Sequence, residues 1–184
     1  MTTLYRVAPV DLAVRSEGDG RTLSGLCVPF GVSANVSDGG PRYREQFARG
    51  AFRRTIAERG SKVQLKVEHP GSKALPIGRA TVLREDAAGL FGEFRVSRTT
   101  LGDEVLELVR DGALDSLSVG FAPISDRRLP DGTVSRTEVA LREVSVVATP
   151  AYEGAQILGV RSARSISAET ARRRLALLQR KYAS

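Results

Sequence analysis

Two stretches, Ser116-Leu-Ser-Val-Gly-Phe-Ala-Pro-Ile124 and Leu141-Arg-Glu-Val-Ser-Val-Val-Ala148, decide how this chain is read. In the first, Ser116, Ser118 and Gly120 alternate with Leu117, Val119 and Phe121. One face is therefore small and polar, and the other is apolar. In the second, Val144, Val146 and Ala148 share one face, while Glu143, Ser145 and Val147 share the other. A period of two over this length predicts two strands, the second stopped by Pro150. A carboxylate on such a strand needs a partner, because burying a lone charge is costly.

Working outward, residues 126–129 and 133–140 flank an Asp131-Gly132 hairpin tip. Residues 63–67 alternate apolar and polar and predict a strand with one buried face, ending at Glu68-His69-Pro70. Residues 77–83 and 90–96 predict another strand pair, and 11–15 with 22–28 predict a hairpin around Glu17-Gly-Asp-Gly20. Residues 32–41 are rich in Ser, Asn, Asp and Gly and read as a loop. Phe52 and Ile56 lie four apart in a short amphipathic helix over 51–59, capped at Gly60. Apolar residues at 101, 105, 106, 108 and 109 predict a second helix, closed by Asp111-Gly112. Many short strands with two short helices suggest an α+β barrel or sandwich.

Composition narrows the function classes. Hydrophobic residues make up 41% of 184, enough for the core of one domain of ordinary size. No apolar run approaches the roughly 20 residues that span a bilayer, and the N-terminus lacks a signal-peptide core, so no membrane partner is expected. One Cys permits no internal disulfide, and one His with one Cys excludes a His/Cys metal cage. The net charge of +7 is uneven: seven basic residues and one acid from Arg161 onward leave only +1 for residues 1–160. A nucleic-acid-binding reading applies at most to the tail, and the strands show no aromatic-basic interleaving. The expected division is a body over 1–160 and a basic, partly helical tail over 161–184, joined through the small, polar stretch 161–167.

Three side chains in the body could do chemistry. His69 follows a strand, where rigid support is good; its plain alternative is a loop histidine. Ser118 has a glycine two positions on that leaves room above it; its plain alternative is a strand serine facing solvent. Glu143 could orient the His69 ring or simply pair with a nearby Arg. Together they supply the nucleophile, base and acid of serine hydrolysis. The Gly-x-Ser-x-Gly elbow of α/β-hydrolases is absent around Ser118. Cys27 is an alternative nucleophile, though its apolar surroundings read as core. Ser116 is the other nearby hydroxyl.

Further pieces fall in a specific order: Gly25-Leu-Cys-Val-Pro-Phe30, Glu45-Gln-Phe-Ala-Arg-Gly-Ala-Phe52, Glu68-His69, Pro76-Ile-Gly-Arg79, Gly89-Leu90, Val109-Arg-Asp-Gly-Ala-Leu114, Leu117-Ser-Val-Gly-Phe121 and Leu141-Arg-Glu-Val-Ser-Val-Val147, then Pro150-Ala151. In this order and spacing the chain resembles the prohead (procapsid) maturation proteases of tailed bacteriophages, over roughly residues 12–160. The resemblance implies a serine endopeptidase with a mainly antiparallel β-barrel flanked by short helices, similar to herpesvirus assemblin. It puts the family's Ser on Ser118, its His on His69 and the acidic member on Glu143. Assemblin-type enzymes use a second His there, and this chain has only one. Pro70 departs from the Asp or Asn that relatives often carry. By analogy, the oxyanion donors fall near 151–154.

The resemblance implies no metal or cofactor. It implies the major capsid protein with its scaffolding segment as partner and substrate, together with self-cleavage and a homo-oligomer. The setting would be the host cytoplasm, inside the assembling procapsid. An inactive capsid-assembly scaffold of the same fold is the alternative from another class. The tail would dock on acidic scaffold helices, or be a solvated terminal helix.

Overall fold

The computed structural model describes residues 2–8, 12–14, 19–68 and 75–148. His69, Pro70, residues 151–154 and the 161–184 tail lie outside them. In chain order the elements are strands β1 (Leu4–Ala8), β2 (Ala13–Val14), β3 (Thr22–Pro29), β4 (Ala34–Val36) and β5 (Tyr43–Phe47), helix α1 (Arg53–Arg59), a 3₁₀ turn (Gly60–Lys62), strands β6 (Gln64–Val67), β7 (Gly78–Glu85) and β8 (Gly89–Val96), helix α2 (Thr100–Arg110), and the long strands β9 (Ser116–Arg128) and β10 (Val134–Val147).

The strands form one sheet in a mixed α+β fold. Its hydrogen-bonded path is β1-β9-β10-β6-β7-β8-β3-β2, with β5 attached to β10 and β4 to β5. The sheet curls so that β3 returns against β1 and β9. Leu23, Leu65, Phe94, Leu117, Val119, Phe121 and Val144 fill the inside of the curl. Phe47 stands edge-on to Phe121, ring centroids 5.0 Å apart, and packs against Phe52 at 5.5 Å.

Strand β10 organises the sheet. Along one side it pairs antiparallel with β9 for its whole length. Along the other it pairs parallel with β5 at Val134–Arg136 and parallel with β6 at Glu143–Val146. The edge between these partners is covered by α1 and the residues just before it. Val139 N–H donates to Ala51 O (3.0 Å), and Leu141 N–H donates to Thr55 Oγ1 (3.1 Å). The Thr55 hydroxyl donates in turn to Val139 O (3.3 Å). A polar residue at 55 thus satisfies backbone groups that would otherwise be buried without partners.

Both helices form where expected. Thr99 caps α2 by accepting from Gly102 N–H at 3.1 Å. Val105, Leu106 and Val109 face inward, and Gly112 leaves the helix at φ +84°. The first helix ends differently from expectation. Gly60 keeps a right-handed φ of −49° and the chain continues into the 3₁₀ turn, so it is not a left-handed glycine cap.

Three further corrections share one cause, which is long-range pairing. Residues 32–41, read as a loop, contain β4, which pairs antiparallel with β5. Strands β1 and β5 carry little local signal and exist because β9 and β10 accept them. The segments expected at 116–124 and 126–129 are one strand, as are those at 133–140 and 141–148, because β9 and β10 brace each other through register shifts. The parallel partners of β10 are the departure from an all-antiparallel arrangement.

A buried ion cluster ties β1, β5, β9, β10 and the loop after β4 together. Glu45, 1% exposed, accepts from Arg6 Nε (2.6 Å) and Arg136 Nε (2.6 Å). Arg6 also forks onto Asp38 (2.9 and 2.9 Å), and Arg136 reaches Asp126 (2.6 Å). Tyr43 hydroxyl donates to Asp38 and accepts from Arg136 at 2.8 Å. Burial pushes the Tyr43 phenol up to about 12, so it stays a donor.

Burial alone would raise the Asp38 carboxyl, but hydrogen bonds from Arg6 and Tyr43 outweigh it and hold it below its ordinary range. A depressed carboxylate stabilises fully above its unfolded value, about 4. That stability is lost as pH falls through the lower folded value. Asp38→Asn is therefore expected to lower the melting temperature at neutral pH and to flatten its fall below about pH 4. A melting curve that keeps the wild-type acid slope would show that Asp38 contributes nothing to it.

Candidate active site

The β9–β10 hairpin carries Ser118 and Glu143 on the same face. Ser118 lies opposite Val7 of β1 on one side and Ser145 of β10 on the other. Glu143 lies opposite Gly120, and Gly120 opposite Tyr5. Residues directly opposite in a ladder share a face. Two adjacent rows result, Val7–Ser118–Ser145–Lys66 and Tyr5–Gly120–Glu143–Gln64, with β6 supplying the last member of each.

The reading of Ser118 as a solvent-facing serine is overturned, because the residue is 0% exposed. Ser145 is buried too. Arg142 is the extra residue in a register shift between Leu141 and Glu143. Such bulges re-aim the side chain that follows. Gly120 is required by its neighbours. A Cβ there would lie 2.8 Å from Glu143 Cγ and 2.9 Å from Tyr5 Cε1.

Glu143 has a partner that the sequence reading did not name. Lys66 Nζ lies 2.6 Å from Glu143 Oε2, with side-chain exposures of 7% and 9%. Ser145 Oγ donates to Glu143 Oε1 at 3.4 Å, a weak bond. The expected plain partner was an Arg; the observed one is a Lys. The signal available was that Gln64 and Lys66 occupy the polar face of a strand ending beside His69.

His69 itself lies outside the described residues. The turn leading to it is described. Glu68 has φ +54°, uncommon for a residue with a side chain. Its N–H donates to Val146 O (2.9 Å), and its Oε1 accepts from Ala148 N–H (3.2 Å). The chain thus leaves β6 pinned to the end of β10, one residue before His69.

Cys27 is fully buried, 4.0 Å from Gly25 O, and burial pushes its thiol far up. A thiolate is the reactive form, so this residue is inert core. Native protein is expected to resist iodoacetamide, and Cys27→Ala to keep any peptide cleavage. Alkylation under native conditions with parallel loss of cleavage would bring Cys27 back as nucleophile. Among the described residues no group of three or more His, Cys, Asp or Glu could hold a metal ion, and no helix is long and apolar enough to cross a membrane.

The chain is similar to the solved structure of the bacteriophage T4 capsid assembly protease, with a TM-score of 0.57 at 13% identity, covering 79% of this chain and 96% of that one. At sequence level the chain belongs to the caudovirus prohead serine protease family, whose model matches residues 10–171. It is 32% identical over 116 residues to the prohead protease of Enterobacteria phage HK97, which covers 61% of this chain and 51% of that protein. The chain therefore spans about half the length of this curated relative. The family match runs past Val160, the boundary expected for the body.

Proposed function

We propose that this protein is a serine endopeptidase of procapsid maturation. The observation that carries the reading is Ser118 and Glu143 on neighbouring strands of one buried face, in a chain of the prohead serine protease family. In the proposed mechanism His69 removes the Ser118 hydroxyl proton as Oγ attacks the scissile carbonyl. Glu143 holds the imidazole tautomer and stabilises the imidazolium. Backbone N–H groups near 151–154 take the oxyanion. The protonated His69 then releases the amine, and water frees the acyl group. Because Ser118 has no exposed surface, local opening of this face must precede attack, on a peptide or on a small phosphorylating reagent alike.

Family membership supports as proposed substrates the scaffolding segment of a major capsid protein and the protease itself, inside a procapsid in the host cytoplasm. The fuller fold reading is a barrel of the assemblin type over residues 1–160, with the 161–184 tail as a docking device for acidic scaffold helices. Deleting the tail should reduce encapsidation while leaving peptide hydrolysis intact; lost hydrolysis with normal packaging would reject that role.

The test of the activity is covalent. Incubation with diisopropyl fluorophosphate should add one phosphoryl group, mapped by fragment masses to Ser118, and stop cleavage of the capsid precursor. Modification at Ser116 or Ser145 with the same loss would move the nucleophile. A second reading has its own observation, the Lys66–Glu143 pair, which makes Glu143 a structural counter-ion. Under that reading Glu143→Gln leaves the labelling rate unchanged.

A further inference from the structure

We propose that Lys66 is the positioning residue for Glu143, so that strand β6 clamps the acid. This rests on the triad reading above. Lys66 and Glu143 are buried together at 2.6 Å. A buried ion pair is weak evidence for stability, since apolar residues of similar volume usually serve as well or better. A pair buried beside Ser118 and Ser145 of one row and Gly120 of the next therefore calls for a role other than stability.

The geometry supplies one. Lys66 takes Oε2 of the carboxylate and Ser145 weakly contacts Oε1. A carboxylate has about four acceptor sites. Gripped at Oε2, Glu143 has its carboxylate plane fixed, and under the triad reading Oε1 is the oxygen that accepts an imidazole N–H. The parallel register Ser145↔Lys66, Glu143↔Gln64 sets Lys66 beside the carboxylate. The chain then turns at Glu68, which is tied to Val146 and Ala148 of the same neighbouring segment. A shift of β6 against β10 would move the clamp off the carboxylate. Lys66 touches no reacting atom in this scheme and acts through Glu143.

The experiment measures the rate at which diisopropyl fluorophosphate labels Ser118 in the full chain, so that substrate specificity plays no part. Five proteins are compared: wild type, Lys66→Met, Lys66→Arg, Glu143→Gln and the Lys66→Met/Glu143→Gln double variant. Lys66→Met and Glu143→Gln should each slow labelling by a similar factor, on the order of 10². The double variant should be no slower than Glu143→Gln alone, because residues acting as a unit are not additive. Lys66→Arg should recover most of the rate.

Removing both charges leaves no lone buried ion, so the double variant is expected to fold even if Lys66→Met does not. The comparison of the double variant with Glu143→Gln, and of Lys66→Arg with wild type, then carries the result. Multiplying factors in the double variant, or wild-type labelling by folded Lys66→Met, would overturn the inference while the triad stands. Wild-type protein that is not labelled at Ser118 would instead sink the triad reading itself.

Discussion

Ser118→Ala is expected to reduce cleavage of a capsid precursor by roughly 10⁴–10⁶-fold. The size follows from the role. Without Oγ no acyl-enzyme forms, and what remains is the rate from carbonyl polarisation and binding alone. The fold should survive, since the change removes one hydroxyl at a position flanked by Val7 and Ser145. The net cost of one such hydrogen bond is about 1 kcal/mol. Intact-mass analysis over time, on variant protein with a wild-type melting temperature, measures the effect. Cleavage within a hundredfold of wild type would dismiss Ser118 and bring forward Ser116. Cys27 would not follow, since its burial already makes it a poor nucleophile.

The second large effect concerns stability. Glu45→Gln is expected to cost about 3–5 kcal/mol, the usual result of removing one partner from a buried charge cluster. Glu45 accepts from Arg6 Nε and Arg136 Nε at 2.6 Å each. The amide would carry no charge against two guanidinium groups and would turn an N–H₂ donor toward donors. Asp38 and Asp126 offset part of the loss, but both lie nearer the surface. A fall of about 10 °C in melting temperature is the expected readout. A change under 2 °C would mean that water already reaches the cluster. Because β5 joins β10 in parallel beside Arg136, native-state hydrogen exchange in β4 and β5 should rise first.

What could be read beforehand follows the range of the interactions. The faces of β9 and β10 were legible strand by strand because alternation is local; it put Ser118 with Gly120 and Glu143 with Ser145, and the register then brought the two pairs to one side. The two helices were legible for the same reason. Strand β1, with Arg6 and Tyr5, was not, since its strand character comes from β9 and its Arg is buried only because Glu45 and Asp38 meet it. The parallel docking of β6 on β10 was equally hidden, and with it the partner of Glu143. Lys66 looked like an ordinary polar-face lysine until the register placed it opposite Ser145.

That register also sets a sequence of events in time. Ser118 and Glu143 lie on two arms of a hairpin closed by a short turn at Asp131-Gly132, a contact that forms early and locally. The β6 pairing joins Gln64 to Glu143 across β7, β8, α2 and β9, and such distant parallel contacts come late because the intervening chain must be ordered first. A newly made chain therefore holds its hydroxyl and its carboxylate before it gains the strand that leads to its histidine. Under the proposed mechanism a partly folded copy cannot yet cleave its neighbours, and proteolytic competence is the last property acquired.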